Sequence, residues 1–317
     1  MHVLVIGLLG LVLSTAAWAQ AYPAKPIRII VPFTPGGIND FAARSISDGL
    51  SKSVGVPVIV DNRPGAGGIV GSEIAAKSPP DGHTLIVGSV ASHAIVENLR
   101  KNPPYRVMRD FSPVTLIAET PLLLVVHPSM PVTSVKELIR LGRRDQLNYA
   151  SSGSGTATHL AAELFKTMTK TNLAHVPYKS AGPAVVDLVG GHITLMFATM
   201  PSVVTHVKSG KLRAIAVTSR DKTETLPEVP PIAKAGVADY AVTSWSGMFA
   251  PKGTPNEVLS LLAGEVKKIL QTPASQKYFF SQGASAVPNT PAEFSEFVAS
   301  EVAKWKKAIE FSGASAD

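Results

Sequence analysis

The chain has 317 residues, no cysteine and a formal charge of +7, which excludes a disulfide-stapled scaffold, a thiolate metal site and a lipoprotein anchor. Lysine and arginine are scattered, with no basic run interleaved with aromatics; this excludes a nucleic-acid interface and leaves long-range attraction of small anions. The eight histidines show no H-x-x-x-H or comparable spacing, so neither a metal nor a cofactor is expected.

Residues 1–19 are expected to be a cleavable secretory signal. The apolar run 3–13 is too short to cross a bilayer, and Ala17-Trp18-Ala19 supplies a small-x-small cleavage pattern. No later segment approaches a membrane span. The remainder is expected to be exported, stabilised by a core, and long enough for about two domains.

Residues 27–50 read as a buried strand, a Pro/Gly-rich turn and an amphipathic helix. Ala42, Ile46 and Leu50 recur at the spacing of one apolar helical stripe. Gly36 and Gly37 carry no Cβ, so backbone N–H groups in that turn can approach a ligand closely. The helix start behind them brings unsatisfied N–H groups and a partial positive charge. Together these make an anion cradle that needs no arginine. Asp40 stands in the first helical turn, and two readings stay open for it: a favourable charge against the helix dipole, or a pocket carboxylate that orders water or a ligand amine. Phe33 and Trp245 flank expected loop tips, as core rings or as ligand platforms.

Further strands are expected over 56–60, 84–88, 114–118, 122–127, 147–150, 174–176, 193–197, 214–218 and 246–250, alternating with helical patterns. This is the signature of an α/β architecture with largely parallel sheets. Gly65, Gly67 and Gly71 have a nucleotide-binding-like spacing, but Asn62-Arg63-Pro64 separates them from the strand and no acidic residue ends the next one, which argues against a dinucleotide site.

A second strand–loop–helix unit follows at 147–168. Ser151-Ser152-Gly153-Ser154-Gly155-Thr156 leads into a helix with Leu160, Ala161, Leu164, Phe165 and Met168 on one face. Two such cradles, far apart in sequence, suit a two-lobed protein with its ligand between the lobes. Ser152 or Ser154 with His159 would be the start of a hydrolase site, but no G-x-S-x-G elbow and no third member accompany them.

Capping boxes are expected at Ser134/Glu137, Thr254/Glu257 and Thr290/Glu293, the last two with proline at the first helical position. The C-terminal helix carries Phe294, Phe297, Val298, Val302, Trp305 and Ile309 as a core stripe. Chain crossings between lobes are expected at 119–123 and 242–246.

Val31-Pro32-Phe33-x-Pro35-Gly36-Gly37-x-x-Asp40, Asn62-Arg63-Pro64-Gly65-Ala66-Gly67-Gly68, Pro80-Asp81-Gly82-x-Thr84, Ser152-Gly153-x-Gly155-Thr156-x-x-His159-Leu160, Val176-Pro177-Tyr178-Lys179, Gly190-Gly191 with Met196-Phe197, and Ala250-Pro251-x-Gly253-Thr254-Pro255 occur in this order. Together they resemble the extracytoplasmic solute receptors of tripartite tricarboxylate transporters, the Bug or TctC family. The resemblance covers the whole chain after the signal. It implies a type II periplasmic-binding-protein fold, with lobe 1 at 20–121 and 245–317 and lobe 2 at 122–244. It also implies no enzymatic activity, a small organic carboxylate as ligand, and the membrane components of a tripartite transporter as partners. A monomer is expected.

The two cradle loops are then expected to hold the ligand carboxylate through backbone amides, hydroxyls and water. The implied ligand residues are Phe33, Thr34, Gly36, Gly37, Asn39 and Asp40 in the first loop, and Ser89 after the third strand. Ser151, Ser152, Thr156, Thr158 and His159 follow in the second loop, with Tyr178 and Ala198 beyond it. The chain departs from the family pattern at Thr194 and Ala198, where acidic residues are common, at Ser180, where glycine is usual, and at Asn39, where threonine is frequent. An exported serine hydrolase and a sensor docking on a membrane signalling protein are the alternative readings.

Overall fold

The structure, a computed structural model, describes residues 22–312, and the expected signal segment lies outside them. The strands are β1 (Ile27–Val31), β2 (Val58–Asn62), β3 (Thr84–Ser89), β4 (Phe111–Val126), β5 (Leu147–Ser151), β6 (Leu173–Pro177), β7 (Leu195–Thr199), β8 (Arg213–Val217), β9 (Thr243–Pro251) and β10 (Ser285–Ala286). Among the described residues no helix is long and apolar enough to cross a membrane.

The strand order is β2-β1-β3-β9-β4-β7-β5-β6, with β8 and β10 also pairing with β4. Strand β4 therefore belongs to two sheets. From Phe111 to Pro121 it runs antiparallel to β9, and from Leu122 onward it runs antiparallel to β7. The sequence reading split this segment into two strands, and the structure corrects that. Proline lacks an N–H and normally ends a ladder; here Pro121 sits where the strand changes partners. Likewise β2 begins two residues later than expected, because Pro57 has no N–H to give and only its carbonyl is used, accepting from Ile27 N–H at 2.9 Å. The two-residue β10 has no periodicity to read.

Strands β1, β2 and β3 are mutually parallel in one sheet, and β5, β6 and β7 in the other. Each sheet is covered on both faces, so its strands read as near-continuous apolar runs. Along β4, Leu122, Leu124 and Val126 enter one core while Leu123 and Val125 enter the opposite one, the period-2 alternation of a strand. In the first lobe Ala42, Ile46 and Leu50 of helix Ile38–Val54 are fully buried against Ile27, Ile29 and Val31. Burying each of the two larger side chains contributes about 2 kcal/mol. That helix ends at Gly55, whose φ of 74° is the left-handed cap and whose N–H reaches Ser51 O.

Helix Pro291–Ser312 lays Phe294, Val298, Trp305 and Ile309 into the other core of the same lobe, as its stripe requires. Its start is a complete capping box: Thr290 N–H donates to Glu293, and Glu293 N–H donates to Thr290 Oγ1. At helix Val135–Arg144, Ser134 Oγ accepts from Glu137 N–H, while Glu137 reaches one residue further back to Thr133 N–H. The box expected at Thr254 does not form. Helix Asn256–Leu270 starts one residue after Pro255, and the Thr254 hydroxyl donates instead to Pro251 O.

Candidate ligand cavity

A cavity lies where the carboxyl ends of the two parallel sheets meet. Its lining is Phe33, Gly37, Ile38, Asn39, Ser89, Val90, Ala91, Ser152, Thr156, Ala157, Thr158, Ala181, Thr199 and Ser244, around about 410 Å³ of empty space counting its mouth. Strands β1, β5, β6 and β7 each run into a helix whose N-cap or first turn contributes to this wall: Ile38–Val54, Ala157–Thr169, Ala181–Val189 and, through its N-cap Thr199, Met200–Lys208. The Gly37 start has no side-chain cap, nor do the Ser180 and Thr199 starts. Each such terminus brings about +0.5 of a charge and free N–H donors. None of the lining residues is itself charged.

The second loop is a ladder of hydroxyls. Thr158 Oγ1 accepts from Ser152 N–H at 2.9 Å and hydrogen-bonds both Ser152 Oγ and Thr156 Oγ1 at 2.9 Å. Thr156 Oγ1 donates to Gly153 O at 2.7 Å. On the first loop, Asn39 Nδ2 donates to Val87 O at 2.7 Å, which ties the helix start to β3.

Of the expected ligand residues, the structure brings Phe33, Gly37, Asn39, Ser89, Ser152, Thr156 and Thr158 together at the cavity. The others stand elsewhere, and each for a structural reason. Thr34 spends its hydroxyl on Ser180 across the cleft. Asp40 is consumed as a brace: one oxygen takes Gly36 N–H at 3.2 Å, the other takes Arg44 Nε at 3.0 Å and Asn62 Nδ2 at 3.1 Å. Gly36 is held by that brace. Ser151 is fully buried, bonded to His175 Nε2 at 2.6 Å. His159 and Tyr178 line a separate groove. Ala198 is a correction of register: it packs with Leu123 and Val125 in a core, and its neighbour Thr199 reaches the cavity.

Sequence reasoning missed Ile38, Val90, Ala91, Ala157, Ala181, Thr199 and Ser244. All but Ser244 end or closely follow a parallel strand, so the strand-end rule points to them. Ser244 comes from antiparallel β9, and only the tertiary fold places it there.

Three rings stack behind the hydroxyl loop, His159 on His175 at 4.0 Å and His175 on Tyr149 at 5.0 Å. Burial holds His159 below the usual histidine range, and burial with neighbouring His159 pushes His175 down to about 4. Both rings are neutral at neutral pH. His159 Nδ1 accepts from Gly155 N–H at 3.0 Å. Ser152 shares its hydroxyl with Thr158 rather than with a histidine.

The profile of the tripartite tricarboxylate transporter family receptor, TctC, matches residues 42–313. Protein BugT of Bordetella pertussis is 37% identical over 317 residues, spanning 98% of this chain and 97% of BugT. The R. palustris protein Rpa4515, solved with adipate, superposes with a TM-score of 0.90 at 35% identity, covering 93% of this chain and 99% of that one. MatC of Rhodopseudomonas palustris, solved with bound malate, gives 0.86 at 29% identity, over 91% of this chain and all of that one (100%). The chain has the two-lobed fold of periplasmic solute-binding proteins, and it belongs to the tripartite tricarboxylate transporter receptor family.

Proposed function

We propose that this chain captures a small organic carboxylate between its lobes and delivers it to the membrane components of a tripartite transporter. The observation that carries the reading is the convergence of four helix N-termini on a cavity with no charged lining residue. Such a wall stabilises an anion through backbone N–H groups, hydroxyls and aligned dipoles. Adipate and malate in the two related structures support a carboxylate as ligand. Phe33, Gly37, Asn39, Ser89, Ser152, Thr156 and Thr158 form the binding set in this reading. The lobes divide at 121/122 and 244/245, where β4 changes partners and the chain returns through β9. The signal at 1–19 is removed on export, and the receptor works in the periplasm as a monomer.

No chemistry is assigned to Ser152 or Ser154, since His159 Nδ1 is committed to Gly155 N–H. The test is a thermal-shift series of aliphatic and aromatic carboxylates, followed by calorimetry, beside an assay with nitrophenyl esters. A stabilising carboxylate with no ester turnover supports the receptor. Ester turnover abolished by Ser152→Ala overturns it.

A further inference from the structure

The cavity wall at Ser89, Val90 and Ala91 is held differently from the others. Strand β3 ends at Ser89 and passes into a π-type turn, Ala91–Ile95, ahead of the helical turn Val96–Leu99. Within it His93 leaves helical geometry, at φ −123° and ψ 17°. Its ring lies against β3 at Gly88, where a Cβ would collide with it. Turns of this type are rare and recur at functional sites.

A short relay joins this ring to the cavity. Ser89 N–H donates to Ser92 Oγ at 3.2 Å, and the only other partner of that hydroxyl among the described residues is His93 Nδ1, at 2.9 Å. The serine proton therefore goes to Nδ1, which puts the imidazole proton on Nε2. Tyr105 anchors the same turn, its hydroxyl donating to Ser92 O at 2.5 Å. Ser92 and His93 are both fully buried, so solvent does not compete for these bonds.

The ring itself sits among apolar surfaces. It stacks on Phe249 at 4.3 Å and meets Phe111 at 4.8 Å, and its Nε2 has no hydrogen-bond partner among the described residues. Burying that donor costs stability, and a phenyl ring would fill the same aromatic cluster without it. What a phenyl ring does not supply is the acceptor for Ser92.

We infer that His93 is a positioning residue for ligand capture: through Ser92 it fixes the backbone of Ser89, and with it the Ser89–Ala91 wall, from outside the cavity. The inference rests on the reading of the cavity as the ligand site.

Three variants separate this role from packing. His93→Asn keeps an acceptor where Nδ1 stands and loses the rest of the ring. His93→Phe keeps a ring and loses the acceptor, and Ser92→Ala cuts the relay in the middle. Stability in urea should fall most in His93→Asn. In calorimetry adipate should nevertheless bind that variant within about threefold of wild type, and bind His93→Phe and Ser92→Ala about tenfold more weakly. A purely structural histidine would make affinity follow stability, with His93→Asn the weakest binder; that order, or wild-type affinity in His93→Phe, overturns the proposal. The Ser89 amide of the ligand-free protein should exchange slowly in wild type and His93→Asn, and about tenfold faster in the other two by NMR. If His93→Phe fails to fold, Ser92→Ala, which removes one oxygen, decides both measurements. If adipate does not bind the wild type, the carboxylate reading of the cavity is in question, while Ser89 exchange still decides the relay: unchanged exchange in Ser92→Ala overturns it.

Discussion

Asp40 accepts a hydrogen bond from the N–H of Gly36 at 3.2 Å, so a carboxylate four residues further along the chain folds the glycine loop back onto its own helix. The same side chain holds Arg44 and Asn62, and Asn62 Nδ2 also donates to Phe33 O at 2.9 Å. The loop that presents Phe33 and Gly37 is thus fixed from behind, with the carboxylate buried and outside the cavity.

Asp40→Ala should therefore destabilise the fold by about 1–3 kcal/mol, the scale of a buried charged hydrogen-bond network losing one partner. Urea unfolding measures it. Carboxylate affinity should fall as a consequence of a looser loop. Unchanged stability with lost affinity would return Asp40 to the role of a direct ligand residue.

Much of this arrangement is legible in the sequence, and the failures have definite causes. Ile27–Val31 announces itself because its β-branched run is broken by Pro32 and followed by glycines. The hydroxyl loop is legible because Ser, Gly and Thr before an apolar stripe favour a helix start. Pro121 misled because a proline at a change of strand partner costs no ladder bond, which local pattern does not reveal. Ala198 misled by one residue, and in a strand one residue exchanges cavity for core. Asp40 reads two ways because a carboxylate in a first helical turn serves a brace as well as a ligand; the brace partner Asn62, at the end of the next element, is visible only in the fold.

Gly37→Val tests the cavity directly. The backbone there has φ −94°, which valine adopts, and a Cβ would stand 3.8 Å from that of Ala181. Folding should survive, while the added methyl groups occupy space beside the helix start and exclude the ligand from its N–H groups. Calorimetry with the best carboxylate of the thermal-shift series should show no binding at a near-native melting temperature.

Gly182→Ala tests closure. Its Cβ would come 2.8 Å from Pro35 O across the cleft, and a backbone carbonyl gives way poorly. Each lobe should fold normally, but the closed form should become less populated, weakening ligand by about tenfold because apparent affinity scales with the competent fraction. Small-angle scattering with saturating ligand should show compaction in the wild type and less in the variant. Equal compaction would mean the lobes close without this contact.

Acid should loosen the protein before its carboxylates titrate. His175 is pushed down to about 4 by burial and by His159, and burial pushes His93 down to about 3, both from an ordinary value of 6.5. Below 6.5 the unfolded chain takes up protons at these positions and the folded one does not, so stability is full above 6.5 and declines as pH falls toward 4. Urea midpoints at pH about 7.5 and about 5 bracket that window above the ordinary aspartate and glutamate values. The wild-type midpoint should be lower at the acid end. His175→Gln, which keeps a polar partner for Ser151 but cannot titrate, should show a smaller drop between the two pH values whatever its absolute stability. An equal drop in the variant would remove His175 from the account and leave buried His159 and His93, the latter stacked on Phe249 at 4.3 Å in the first lobe, as the groups that resist charging.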